Sequence, residues 1–264
     1  MVPLFVALAA AAAAPSPVPP KLAVPARPTI SQEDHKARGA KCGALAGTAP
    51  EKAIEEAKAW QAAGGGMAAR QCLGIAQSNL GQWREATDSF EAAAKDALLD
   101  DNQMTVVLWM QAGNAALAAD EPVRAKGSFD RALLIPGLSD EMKGEVHLDR
   151  ARANVAANDI AGARVDLEQA TKLVPRDPLG WLLRANLARK AKDLPLAFTA
   201  IREATKLAPN DPSVAYEAGN IAAASGQMDD ARAAWTRAAT TAPDSNAGKA
   251  AALALRGEGA EPQP

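Results

Sequence analysis

The stretch GNIAAASGQMDDARAAWTRAATTAP, Gly219 to Pro243, sets the terms for the rest of the chain. Two glycines stand seven residues apart, Ala231 and Ala238 flank Trp235, and a proline closes the stretch. Ala231, Trp235 and Ala238 sit at relative positions 0, 4 and 7, which fall on one face of an α-helix. Gly219 lies twelve residues upstream of Ala231, on a preceding helix, where the absence of a side chain lets two helix backbones approach. Gly226-Gln227 is a turn signal between the two helices, and Pro243 stops the second. The stretch therefore reads as one helix-turn-helix unit.

Stepping backward from Ala231, alanine recurs at Ala197, Ala163, Ala125 and Ala86, at intervals of 34, 34, 38 and 39 residues. Four residues after each anchor comes a large apolar side chain: Phe90, Phe129, Leu167, Ile201 and Trp235. Seven after comes Ala93, Ala132, Ala170, Ala204 or Ala238, and twelve before comes Gly74, Gly113, Ala151, Ala185 or Gly219. Pro175, Pro209 and Pro243 follow twelve residues after the last three anchors, and Pro136 comes one residue early in the second unit. Further turn signals stand at Gly81-Gln82, Asn158-Asp159 and Lys192-Asp193.

This register resembles the tetratricopeptide repeat, with its period of 34, small residues at repeat positions 8, 20 and 27, a bulky residue at 24 and proline at 32. Trp109 and Trp181 fall at position 4, another place the family favours. The resemblance implies an all-α, right-handed superhelical solenoid of five units, 67–105, 106–143, 144–177, 178–211 and 212–245. Departures exist. Arg150 and Arg184 stand at position 7, where the family usually has leucine, and extra residues follow the second helices of units one and two. Both are expected to bend the superhelix locally. A divergent helical hairpin is expected over 31–66, opened by Ser31 as N-cap and closed by Gly64-Gly65-Gly66. A capping helix is expected over 246–256, because an end repeat otherwise exposes its apolar face. Residues 257–264 read as a loose tail.

The chain has 264 residues, a net charge of -2 and balanced acids and bases, without the basic stripe that nucleic-acid binding requires. Val2–Ala14 is an apolar run of thirteen residues, short of the ~20 of a membrane-spanning helix. It fits the core of a signal peptide over 1–14, with alanines for cleavage, although no Lys or Arg precedes it. The proline-rich 15–30 reads as an extended linker. The expected location is periplasmic or secreted, with a cytoplasmic alternative if the run is not a signal.

Cys42 and Cys72 are 30 residues apart, close to one period, on adjacent first helices; in an exported chain they are expected to form a disulfide, the alternative being two small buried thiols. His35 and His147, with these cysteines, lack metal-ligand spacing, so no metal or cofactor is expected. No phosphate loop or nucleophile elbow is present, and Asp120-Glu121 and Asp229-Asp230 read as solvated turn charge. No enzyme activity is expected.

By the family's pattern, first helices line the concave groove through positions 2, 5, 9, 12 and 13. That selects Gln71, Ile75, Met110, Asn114, Leu117, Leu148, Arg152, Leu182, Asn186, Arg189, Lys190, Tyr216 and Asn220 as candidate partner contacts. Asn114, Asn186 and Asn220 share position 9, where amides can bond an extended peptide backbone. Arg152, Arg189 and Lys190 favour an acidic segment. The apolar members have a plainer alternative, packing between repeats. The basic clamp by which some relatives hold a chaperone's acidic C-terminus is absent, since position 5 holds Gln71, Met110, Leu148, Leu182 and Tyr216. The expected function is a noncatalytic adaptor of a bacterial cell envelope that binds a protein or extended peptide. The alternative is a self-associating structural protein whose groove is closed by a second copy or by its own N-terminal arm. The expected state is a monomer or weak homo-oligomer.

Overall fold

The structure, a computed structural model, describes residues 31–258. The signal-peptide and linker readings over 1–30, and the tail beyond residue 258, lie outside the described residues. Thirteen helices and no strand make up what is described. They are α1 (Gln32–Thr48), α2 (Pro50–Ala62), α3 (Gly66–Asn79), α4 (Trp83–Leu99), α5 (Thr105–Ala118), α6 (Pro122–Leu133) and α7 (Asp140–Ala156). There follow α8 (Ile160–Leu173), α9 (Pro178–Lys190), α10 (Leu194–Leu207), α11 (Pro212–Ala224), α12 (Met228–Thr241) and α13 (Asn246–Leu255).

The period is written into the helix ends. At every turn from α3 to α4, α5 to α6, α7 to α8, α9 to α10 and α11 to α12 the chain passes through one left-handed residue. These are Gly81, Asp120, Asn158, Lys192 and Gly226, with φ of 71°, 59°, 60°, 62° and 80°. The amide after each closes back on the preceding helix: Gln82 to Gln77, Glu121 to Ala116, Asp159 to Asn154, Asp193 to Ala188 and Gln227 to Ala222, at 2.8–2.9 Å. This is the bond that satisfies an orphan carbonyl at a helix end. Aspartates then cap the next helices. Asp159 and Asp193 accept from Gly162 and Leu196, and Asp177 and Asp211 from Leu179 and Ser213.

The small-large code is a packing contact. Phe90, Phe129 and Trp235 lie against Gly74, Gly113 and Gly219, and a Cβ on Gly74 or Gly113 would stand 2.7 or 2.5 Å from the facing ring. Phe129 and the alanines at 125 and 132 are wholly buried. The extra residues of the first unit go partly into α4, which runs 17 residues, and those of the second into the connection before α7. Arg150 finds a partner rather than a leucine's apolar bed, and Arg184 Nη1 donates to Thr171 Oγ1 at 3.0 Å.

Odd-numbered helices meet one another across the array: α1 with α3, α5 with α7, α9 with α11 and α11 with α13. No two even-numbered helices pack to that extent among the described residues. The odd helices therefore crowd the inside of the curve, and the even helices form its outside.

Candidate functional site

The inner face is laced from one odd helix to the next by polar side chains. Gln71 Nε2 donates to Gln111 Oε1 at 3.1 Å, joining α3 to α5. Asn114 Nδ2 donates to Asp149 Oδ2 at 2.8 Å, joining α5 to α7. Asn186 Nδ2 donates to Glu217 Oε2 at 3.1 Å and Arg189 Nε to Glu217 Oε1 at 2.7 Å, joining α9 to α11. Ahead of the array, Asn79 Nδ2 donates to the Ala46 carbonyl at 2.7 Å, and Cys42 and Cys72 are joined by a disulfide with Cα atoms 6.0 Å apart.

Among the described residues, no such stitch joins α7 to α9 or α11 to α13. Between α7 and α9 the equivalent positions hold Arg152 and Leu183, and an apolar side chain cannot receive the bond. Here a cleft of about 390 Å³ opens. It is lined by Ala151, Arg152 and Val155 of α7, by Ile160 and Leu167 of α8, and by Leu183, Asn186, Leu187 and Lys190 of α9 with Ala191 after it.

Not all thirteen residues singled out in the sequence present themselves equally. Leu148 is 8% exposed and packs with Ala151 and Leu167, so it offers a partner little surface. Gln71, Ile75, Met110, Leu117, Leu182, Arg189 and Tyr216 are half-buried, and Arg152 and Lys190 are exposed. The shared asparagines are largely engaged by their own chain. Asn114 is held by Asp149 and, at 3.5 Å, by Arg152. Asn220 donates to Glu217 and accepts from Trp235 Nε1 at 3.0 Å. Asn186 donates to Glu217, which leaves its Oδ1 as an acceptor at the cleft. Cleft residues outside the thirteen are Ala151, Val155, Ile160, Leu167, Leu183, Leu187 and Ala191. Pairing position 9 with position 6 of the following unit sets Arg152–Leu183 apart from Asn114–Asp149 and Asn186–Glu217, and Ile75–Gln111 with it, a seam where Gln71 supplies the bond instead.

A second polar cluster lies inside repeat three. Asp166, 1% exposed, accepts from Arg150 Nε at 3.0 Å, Arg150 Nη2 at 2.6 Å and Asn154 Nδ2 at 2.8 Å, with His147 Nδ1 at 2.8 Å. Burial alone would raise the Asp166 carboxyl; the bonds to His147 and Arg150 outweigh it and hold the group below the ordinary carboxylate range. Arg150 is raised in turn, chiefly by its bond to Asp166. Arg150 Nη1 also reaches Asp130 Oδ1 at 2.7 Å, and Asn154 Oδ1 is buried without a hydrogen-bond partner; the cluster reads as a buried brace. Among the described residues, no group of three or more His, Cys, Asp or Glu is placed to hold a metal ion.

No protein-family model and no curated protein matches the sequence. Solved structures do match. PilW, a type IV pilus biogenesis factor, aligns over 83% of this chain and 98% of its own, with a TM-score of 0.67 and 15% identity. PilF of Pseudomonas aeruginosa aligns over 82% of this chain and 96% of its own, with a TM-score of 0.63 and 15% identity. YrrB, described as a TPR protein with an unusual peptide-binding site, aligns over 78% of this chain and 98% of its own, with a TM-score of 0.52 and 19% identity. The chain has the tetratricopeptide-repeat fold. Identities this low establish the architecture alone. Within that fold the odd helices of each pair are the first helices of their repeats, and their shared inner face is the groove in which the cleft opens. No helix among the described residues is long and apolar enough to cross a membrane.

Proposed function

We propose that this chain is a noncatalytic protein-interaction scaffold that receives an extended segment of another protein along the inner face of its first helices. The observation that carries this reading is the open cleft between α7 and α9, on a face otherwise held rigid by inter-repeat bonds. A pre-ordered surface binds at lower entropic cost than one that must first be ordered. The likeness to YrrB, whose description names a peptide-binding site, supports the same reading.

A photo-crosslinking residue placed singly at Arg152 or Tyr216, on first helices, should give adducts with a discrete partner in intact cells. The same residue at Arg164 or Arg202, exposed on second helices, should not. Adducts from the second-helix positions alone would move the binding surface to the outside of the curve and refute the reading.

We place the protein in the cell envelope, periplasmic or secreted, on the Cys42–Cys72 disulfide and the apolar run Val2–Ala14. Recovery of the protein only in the cytoplasmic fraction, with both thiols free, would contradict that placement.

A further inference from the structure

We infer that the cleft between α7, α8 and α9 receives a branched aliphatic side chain from an extended partner segment, and that Lys190 and Arg152 hold an acidic residue beside it. This rests on the groove reading above and specifies what the groove selects.

The apolar half follows from the lining. Ala151 and Leu167 are buried, Leu183 and Leu187 line the cleft with them, and Val155 and Ile160 at the mouth are 43% and 39% exposed. Apolar side chains left open at the edge of an apolar cleft gain by being covered. The volume lies at the small end of the range for ligand pockets, about 300–1,000 Å³. It suits one or two aliphatic side chains rather than a folded domain.

The charged half follows from which groups at the rim are already committed. Asp149 is engaged by Asn114 and Arg152, Glu217 by Arg189, Asn186 and Asn220, and Asp159 by Lys126 and the amide of Gly162. Lys190 and, two residues on, Lys192 are exposed and carry no ion pair among the described residues. Arg152 gives only Nη1 to Asp149 and Asn114, and its side chain is 51% exposed. The uncommitted charge at the mouth is therefore that of Lys190, with Lys192 beside it, and across from it Arg152 keeps Nε and Nη2 as donors beyond its pair with Asp149. Asn186 Oδ1 adds an acceptor for a backbone N–H of a segment lying across the mouth.

The chain's own ends do not fit. Residues 1–30 contain Lys21 and Arg27 and no acid, and residues 257–264 contain acids but no branched aliphatic side chain. The occupant that matches is a separate protein with an aliphatic residue next to Asp or Glu.

The test uses the full chain and fluorescein-labelled, C-terminally amidated Gly/Ser decapeptides with Leu-Glu, Ile-Glu, Ala-Glu, Leu-Gln or Leu-Lys at the centre, read by polarisation. Leu-Glu and Ile-Glu should bind about 10-fold more tightly than Ala-Glu, and more tightly than Leu-Lys. Lys190→Glu, a surface change, should reverse the Glu-over-Lys preference while leaving the melting curve unchanged. Equal binding of Leu-Glu, Ala-Glu and Leu-Lys, or an unchanged preference in Lys190→Glu, overturns the inference. So does binding of sodium decanoate with no peptide bound, or a dimer by light scattering that shuts peptides out. If the peptides fail while crosslinks still form from Arg152 and Tyr216, the groove stands and the cleft specificity falls. If second-helix positions alone crosslink, the groove reading itself falls.

Discussion

Gly113→Ala and Gly43→Ala make the same chemical change in helix interiors and should have opposite effects. At Gly43, in α1, a Cβ would meet nothing within 4 Å. Replacing glycine there restricts the unfolded chain and improves helix propensity, which stabilises by about 0.5–1 kcal/mol. At Gly113 the new Cβ would stand 2.5 Å from Phe129 Cζ, 2.6 Å from Cε1 and 2.9 Å from Cε2. Carbon atoms prefer about 3.5–4.0 Å, so the ring or the helix must give by about 1 Å. Phe129 is fully buried between Ala125 and Ala132 and has no free space to turn into. Overpacking of this kind costs about 1–3 kcal/mol, and the upper part of that range applies where an aromatic ring is trapped. Less the propensity gain of about 1 kcal/mol, Gly113→Ala should destabilise by about 1–2 kcal/mol. The two variants should therefore differ by about 1.5–3 kcal/mol, read as urea midpoints by circular dichroism with the disulfide intact. Phe129→Leu in the Gly113→Ala background should return part of the loss. A Gly113→Ala protein as stable as the wild type would refute the small-large contact as the organising contact of the repeat.

Three further outcomes follow from other features. Asp166→Asn leaves Arg150 with Asp130 as its only acid and removes the carboxylate facing His147, and should cost about 2 kcal/mol. Because the native Asp166 carboxyl sits below its unfolded value, its contribution is complete above the ordinary carboxylate range and lost as pH falls through the lowered folded value. The gap between wild type and Asp166→Asn should therefore close in acid; a pH-independent gap would contradict the charge assignment. Reduction of Cys42–Cys72, which closes a separation of 30 residues, should cost about 3–4 kcal/mol and expose α1 to hydrogen exchange before α5–α12. Equal exchange in both redox states would sink that expectation. Ser245→Ala removes the acceptor for the Gly248 amide and the donor to the Ala242 carbonyl, and should loosen α13 by about 1 kcal/mol without changing exchange in α5.

The architecture was open to reading because the repeat writes the same contact five times. Gly74 against Phe90 and Gly219 against Trp235 are one geometric demand, and a spacing of twelve plus four residues betrays it wherever it recurs. The face of the first helices was legible only as positions. Asn114 and Asn220 stand at the expected place on their helices, but their side chains are occupied by Asp149, Glu217 and Trp235, residues at other repeat positions. Which partner an amide finds depends on how the next repeat is set beside it. The cleft was less visible still, since it arises from a bond that Leu183 cannot make. Arg150 was legible as a departure, but its partner Asp166 was not: an acid in the bulky half of a second helix reads as surface until its helix is placed.

The unlaced seam inside the array also has a mechanical meaning. An array of repeats transmits force from neighbour to neighbour, so its compliance is set by its weakest joint. α7 and α9 are not among the inner helix pairs that pack closely, and no side-chain bond joins them as Gln71–Gln111, Asn114–Asp149 and Asn186–Glu217 join their neighbours. Under tension or torsion the array should yield at this joint first, as two stiff halves about a single hinge; extension spread evenly over all joints in single-molecule stretching would exclude it. A ligand wedged between α7 and α9 would then act as a splint, fixing the curvature of the whole molecule from one place.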